Sequence, residues 1–399
     1  MRSYDVIVVG LGTAGSAACM TLARRGVSVL GVDMFRPPHT MGSHHGRSRS
    51  VRRAYLEGSV YLPMARRAWD LWRRLETDSG ERLLVTTGNL TIGPPDGPAL
   101  TGFLASARTG GIPHECLSAA QIRKRWPPLA PSDDLAGGLE KEAGIVFPET
   151  CIRVFLRMAE ASGATLHTDE RVAGWTIEGE AIKVHTSLGS YSAGRVLIAA
   201  GARSGRLLGD TGAMLSPKRV PVHWIEPPDA AGYALGTFPV NFWQVPTEGT
   251  DDPHAPHREF YALPAIGPGG RVKAAFHNGL ADGDPHHPAP PASAGEVAAI
   301  RRTLARFLPP LSGQPITSDT CMYTLTPDHH FLMGAIPGND NVFAVALAGH
   351  GFKFAPVLGE ILADLVQGRS PAVDVSFFSP RRPGKPSFDN RQTTAQGTQ

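Results

Sequence analysis

The six residues Gly10-Leu11-Gly12-Thr13-Ala14-Gly15 constrain this chain more than any other segment. They follow a short apolar run, YDVIVV at 4–9, and open a helical stretch that reaches Arg25 and closes at Gly26. A second apolar run, 27–32, ends at Asp33. Buried parallel strands read as such uninterrupted runs, so the pattern predicts a βαβ unit. In a G-x-G-x-x-G turn the first glycine permits the tight bend and the second lets backbone approach a pyrophosphate. The third lets helix and strand pack closely, with free helix N–H groups facing the anion. An acid about 20 residues further on receives ribose hydroxyls, and Asp33, 23 residues after Gly10, stands there. Gly10, Gly12, Gly15 and Asp33 are therefore the expected contacts of an adenine dinucleotide. A bare hexapeptide arises by chance in a glycine-rich chain; the strand before it, the helix after it and the acid supply the context.

Residues 6–23 carry no charge and approach the length of a membrane span. Asp5 stands directly before them, three glycines interrupt them, and only Arg2 offers a positive flank, so they read as strand, turn and helix. With a net charge of +3, 42% apolar and 19% charged residues, the chain is expected to be soluble. Neither a nucleic-acid face nor a membrane anchor is indicated. The four cysteines, Cys19, Cys116, Cys151 and Cys321, form no C-x-x-C pair, which excludes a disulfide scaffold or zinc finger and suits a cytoplasmic protein. The 45 Gly and 35 Pro make a fifth of the 399 residues, against about 12% on average. A loop-rich α/β enzyme is the class this composition fits.

Further along, residues 62–77 place Leu62, Ala65, Ala68, Trp69 and Trp72 at helical spacing with arginines opposite. Helices are expected near 99–110, 150–162 and 356–368, and strands over 164–200. Residues 84–148 alternate short strand-like pieces, and 218–321 form a proline-, glycine- and aromatic-rich mixed β region. Two late apolar strands run into glycine, RVLIAAG at 195–201 and NVFAVALAG at 341–349. Such returns to the nucleotide sheet favour FAD over NAD. The expected architecture is a Rossmann-like FAD-binding domain (1–83, 149–217 and 322–380) with a second, mixed β-sheet substrate domain (84–148 and 218–321) interleaved in sequence. A mobile tail is expected at 381–399. No internal repeat is present.

The loop GSHHGRSRSVRR at 42–53 packs His44, His45, Arg47, Arg49, Arg52 and Arg53 into one cationic stretch. A solvated basic loop or a nucleic-acid patch is the plain alternative. No aromatic residue interleaves, so inward arginines facing a flavin or a carboxylate, which a guanidinium grips in bidentate fashion, are preferred. GSHHG with the following R..R.AY at 42–55, CMYT at 321–324 and GHGFKF at 349–354 resemble the monomeric sarcosine oxidase family, which includes N-methyltryptophan oxidase. PPHT at 37–40, RWP at 125–127 and CIR at 151–153 extend the resemblance, in order, from about residue 4 to 380.

The resemblance implies covalent attachment of FAD to Cys321, a residue that alone would read as a buried structural thiol. It implies a substrate carboxylate held by Arg52 and Lys353, and Lys273 near the flavin where O2 is reduced. It further implies His277 and Tyr261 lining the amine site, and His45 and Arg49 close to the flavin. Ser43, His44, Gly349 and Gly351 join the cofactor contacts. The activity implied is oxidation of an N-methyl or cyclic secondary amino acid by a monomer, with O2 reduced to H2O2. An amine dehydrogenase or deaminating amino-acid oxidase on the same scaffold, and an FAD enzyme modifying tRNA amines, remain alternatives.

Three departures stand out. Arg47-Ser48 replaces the Asp-Thr of H-H-G-D-T-R, placing a base in the flavin loop. Phe242 and Trp243 are larger than expected in the substrate wall, and the insertion at 246–260 has the composition of a lid or a surface elaboration. The Asp328-His329-His330 triplet and His254, His257, His286 and His287 lack a metal-ligand spacing, so no metal is expected.

Overall fold

A computed structural model describes residues 2–247, 257–267 and 269–382. Most of the insertion at 246–260 and nearly all of the tail lie outside them, including His254.

The N-terminal unit forms as its glycines require: β1 (Ser3–Val9), α1 (Thr13–Arg24) and β2 (Val29–Val32). β1 pairs in parallel with β2 on one side and with Ser190–Ile198 on the other. Val342–Ala346 joins beyond Ser190–Ile198, and Thr165–His167 beyond β2. Both late apolar strands thus enter the sheet that carries the glycine turn. A Cβ on Gly15 would stand 1.8 Å from the Gly10 carbonyl oxygen, and Gly10 itself holds φ +94°. Only glycine lets the strand turn so directly into α1. The same face carries helices Pro148–Ala161 and Ala355–Val366. A Cβ on Gly359 would lie 2.6 Å from the Ala17 carbonyl, so α1 and Ala355–Val366 meet backbone to backbone.

Among the described residues a second sheet of eight strands follows the order Ile316–Leu325, Ser216–Ile225, Arg271–Phe276, Arg258–Ile266, Val240–Val245, Asn89–Gly93, Ala136–Glu140 and His114–Ser118. Its pairings are antiparallel except Val240–Val245 with Asn89–Gly93. Arg258–Phe260, assigned to the insertion from sequence, belong to this sheet. One face packs around Trp243, Phe260 and Phe307. Helix Leu62–Ser79 buries Leu62, Ala65, Ala68, Leu71, Trp72 and Leu75. Trp69 instead sits at the rim, with the Arg53 and Arg73 guanidinium groups over its ring at 5.3 Å. No helix of the described residues is long and apolar enough to cross a membrane.

Residues 42–54 run between the two sheets and are tied down by charge. Glu149 accepts from the Gly46 and Arg47 N–H groups at 2.8 and 2.9 Å. Lys273 donates to the Gly46 and Ser48 carbonyls at 3.0 and 2.9 Å. Glu140, fully buried at the end of its strand, accepts from the Arg53 and Ala54 N–H groups and from the Arg53 side chain. Buried backbone donors need such partners, and removing one member of a buried charged pair costs about 3–5 kcal/mol. Glu140→Ala is therefore expected to lower unfolding stability by about 3 kcal/mol in urea titration, with Glu140→Gln losing less. Equal stability of Glu140→Ala and wild type would show that the carboxylate does not hold the loop.

Candidate active site

A single continuous cavity is lined by residues from both sheets and by the 42–54 loop. Gly10, Gly12 and Asp33 mark its β1–α1 part. No side chain caps the N-terminus of α1 at Gly12, leaving its first N–H groups for a ligand. Burial would raise the Asp33 carboxyl, but His39 and the N–H groups of Leu11 (2.7 Å) and Phe35 (2.9 Å) outweigh it and keep the group anionic. His44, buried beside Gly12, accepts from the His39 N–H, and burial pushes it down to about 3, so its ring is neutral. Arg203 and Arg206, which sequence reading did not single out, line the cavity with Asp33.

In the central part Ser43, Arg49, Lys273, Tyr261 and Cys321 meet. Arg49 donates to the carbonyls of Ser43 (2.9 Å), Ser48 (2.9 Å) and His45, and lies 3.6 Å from the Cys321 sulfur. Burial alone would raise the Cys321 thiol; the His45 ring and the charges of Arg49 and Lys273 outweigh it and bring it down to about 6. This shift favours the thiolate, the nucleophilic form. Cys19 and Cys151, both buried among apolar groups, are pushed the other way. Lys273 is 1% exposed, on the inner face of its strand, and burial together with Arg49 drives its ammonium well below the usual range.

The remaining part holds Arg52, Glu57, Phe242, His277 and Lys353. Arg52 donates Nη2 to both Glu57 carboxylate oxygens at 3.2 Å, while its buried Nε has no protein partner. Burial would raise Glu57, but the neighbouring Arg52 and Lys353 charges hold it down to about 2. Lys353, 8% exposed, is brought down to about 7 by burial and by Arg52. His277 is pushed down to about 4 by burial and lies 3.4 Å from the Tyr323 hydroxyl.

Of the residues singled out from sequence, Gly15 and His45 do not line the cavity. Gly15 packs beneath the turn and His45 stands behind Cys321. A Cβ on Gly349 would meet the Tyr323 ring at 2.5 Å and one on Gly351 the Leu347 side chain, so both glycines answer to the protein's own packing as well as to the cavity they line. Trp243 is a correction: it points away from the cavity and stacks on Phe260 at 5.5 Å. Neighbouring strand residues face opposite sides, so Phe242 alone of the pair lines the wall. Arg47 also lies off the cavity; it is exposed, with its guanidinium 4.8 Å from the Trp224 ring. Glu57, Tyr55 and Tyr323 were missed, although Tyr323 lies inside the CMYT motif. Asp328 is taken by a bidentate pairing with Arg382 at 2.8 and 2.9 Å, and His287 pairs with Asp284. Among the described residues no group of three His, Cys, Asp or Glu side chains is arranged to hold a metal.

A dinucleotide with a redox ring fits these residues. Uncapped N–H groups and Asp33 suit its adenosine diphosphate portion, and Arg49 and Lys273 suit an anionic ring. Ser48 Oγ, Thr324 Oγ1 and Arg52 Nε are buried in the wall without a protein partner. Fold and site together define a flavin-dependent oxidoreductase. The family model described as FAD dependent oxidoreductase matches residues 5–365, and this chain belongs to that family. It is 36% identical over 384 residues to the monomeric sarcosine oxidase of Streptomyces avermitilis, covering 95% of this chain and 98% of that one. It is 33% identical to the N-methyl-L-tryptophan oxidase of Citrobacter koseri over 381 residues, 95% and 99% of the two chains. Among solved structures, NikD, described as an unusual amino acid oxidase essential for nikkomycin biosynthesis, superposes with a TM-score of 0.81 at 25% identity, covering 95% and 98%.

If Lys353 holds a carboxylate, as the resemblance implies, its lowering to about 7 gives that binding a defined pH dependence. Affinity for a simple carboxylate such as propionate is then expected to be full below about 7 and to fall as pH rises and Lys353 loses its charge. Because an arginine stays cationic throughout, Arg52 preserves part of it. The expected loss between pH 6 and 9 is about tenfold in Kd, one ion pair being worth roughly 1.4 kcal/mol. A flat Kd, read from the flavin absorbance of the holoenzyme, would remove Lys353 from carboxylate recognition.

Proposed function

We propose that this chain oxidises a small N-methyl or cyclic secondary amino acid at its C–N bond. O2 takes the electrons and leaves as H2O2, and the imine hydrolyses, giving formaldehyde from an N-methyl substrate. The observation that carries this reading is that two buried cations, Arg52 and Lys353, line the same cavity as Lys273 and Cys321. Bound FAD supplies the two-electron redox chemistry. Arg52 and Lys353 fix the substrate carboxylate, which leaves the amine nitrogen and its α and N-methyl carbons to be oriented by the remaining wall. Phe242, His277 and Tyr261 form part of that wall, and Phe242 packs edge-on against His277 at 5.7 Å. A neutral His277 leaves the amine without a competing positive charge. Lys273, fixed by its two carbonyl partners, is assigned the place where O2 gains electrons, and burial and Arg49 make it ready to give up a proton there.

Cys321 is assigned the covalent attachment of the flavin, supported by its lowered thiol and its closeness to Arg49. The FAD-binding part is assigned to 1–83, 149–217 and 322–380, and the substrate part to 84–148 and 218–321. The strand Ile316–Leu325 straddles that division and brings Cys321 to the cavity. The protein is proposed to act as a cytoplasmic monomer on a free amine and O2, without nucleic acid or membrane.

Mixing the holoenzyme anaerobically with N-methyl and cyclic amino acids is expected to bleach the flavin, faster as pH rises because the amine must be unprotonated to lose hydride. Air is then expected to return the colour with one H2O2 per turnover. Bleaching without H2O2 formation would point to the dehydrogenase, and bleaching by primary amino acids alone to the deaminating oxidase. Acid precipitation of wild type is expected to carry the yellow colour into the pellet, whereas Cys321→Ser leaves it in solution. Flavin that washes out of the wild-type pellet would disprove the linkage.

A further inference from the structure

Lys353 is connected toward solvent by two side chains that the chemistry above leaves unused. Its Nζ donates to the Tyr55 hydroxyl at 3.3 Å and to the His350 carbonyl at 2.9 Å. The Tyr55 hydroxyl is hydrogen-bonded to His350 Nδ1. Nε2 of the same ring meets the carbonyl of His329, an exposed residue, at 3.3 Å. With its oxygen accepting from Lys353, the hydroxyl donates its hydrogen to Nδ1. The imidazole is then the Nε2–H tautomer, donating to the His329 carbonyl. Each link has one donor and one acceptor, the requirement for a proton to move along it.

Apolar rings close this path on its sides. Phe331 stacks on His350 at 4.7 Å, and Phe354 and Tyr61 pack on Tyr55 at 5.2 and 4.8 Å. The charged and titratable groups facing it are Arg52 and Glu57 from the loop, Tyr61, His277 from the second sheet, and His329. Burial raises the Tyr55 hydroxyl and lowers His350 to about 3, so both are neutral at rest and pass protons without storing charge.

We propose that Tyr55 and His350 are a proton relay joining Lys353 to solvent; the direction of its use in turnover rests on the secondary amino acid reading above. A zwitterionic substrate arrives with its amine protonated, and neutral Lys353 takes that proton. Lys353 becomes the ammonium partner of the carboxylate and the substrate becomes the free amine that can lose hydride. After product leaves, Lys353 gives a proton to the Tyr55 oxygen as the Tyr55 hydroxyl proton passes to His350 Nδ1. His350 Nε2 releases its own proton to solvent beside His329. One proton leaves for each taken from substrate, and Tyr55 and His350 return to neutrality; His350, left as the Nδ1–H tautomer, regains Nε2–H by exchange with solvent and the Tyr55 hydroxyl turns back before the next proton passes. They are positioning residues that act through Lys353.

The test uses holoenzyme in weak buffer at pH 8 with propionate and a pH indicator dye. Binding of a carboxylate draws a proton onto Lys353, so the dye reads the relay without any turnover. In wild type, proton uptake is expected to keep pace with the flavin absorbance change that reports binding. In Tyr55→Phe and His350→Gln the dye is expected to lag by at least about tenfold. Their Kd for propionate should stay within about twofold, and free imidazole should restore uptake in His350→Ala. Dye and flavin signals that coincide in both variants would overturn the relay. So would a slowing matched by an equal loss of propionate affinity, the mark of a merely structural role. Failure of every secondary amino acid to bleach the wild-type flavin would sink the substrate reading, while the dye signal still decides the relay.

Discussion

The backbone of residues 42–54 is irregular apart from Arg49–Val51, which pairs with Gly144–Val146, and charged side chains from elsewhere satisfy much of the rest. Glu149, Lys273 and Glu140 reach it from one helix and two strands of different parts of the chain, and Arg49 turns back onto it from within. Without regular secondary structure along most of its length, a buried segment of this kind stands only where every N–H and C=O finds a partner. Two of the anchoring charges also line the cavity. Lys273 holds two carbonyls there, and Arg49 holds three while facing Cys321. The same two ions thus serve the loop and the cavity wall.

That arrangement concentrates charge that the composition hides. A chain of net charge +3 places Arg49, Arg52, Lys273 and Lys353 around one cavity. Burial weakens the hold of each lysine on its proton, and mutual repulsion weakens it further. An anionic ligand would offset the repulsion among these groups. Glu57 answers part of this need by lying against Arg52, which leaves the Nε edge of the guanidinium free of a protein partner.

How much of this was legible depended on the distance over which each residue acts. The glycine turn, Asp33 and the two late strands act through neighbours in sequence or through uninterrupted apolar runs, and periodicity reveals them. Phe242 and Trp243 show the limit of a local reading. Both were assigned to the substrate wall, although strand alternation allows only one there, and the choice depends on which face of the second sheet meets the flavin domain. Arg47, one of the loop's cations, turns outward with its guanidinium over the buried Trp224 ring, which nothing local in the sequence announces. Glu140 carried no signal, since a glutamate that serves backbone 86 residues away looks like any other glutamate; Glu57 pairs with Arg52 only five residues away, but no spacing marked it as part of the site.

The sequence by itself determined the βαβ start, the class of ligand that its glycines admit, and, through matched motifs, the residues Arg52, Lys273, Cys321 and Lys353 as candidates. Those conclusions rest on short-range sterics and on the fixed chemistry of side chains. Only the tertiary structure decided which of them are buried, which are paired, and therefore which carry charge. Proton affinity is set by desolvation and by neighbours brought from distant segments. The Cys321 thiol is lowered because His45, Arg49 and Lys273 converge on it, and Lys353 is lowered by burial and by Arg52, brought beside it from the other end of the chain.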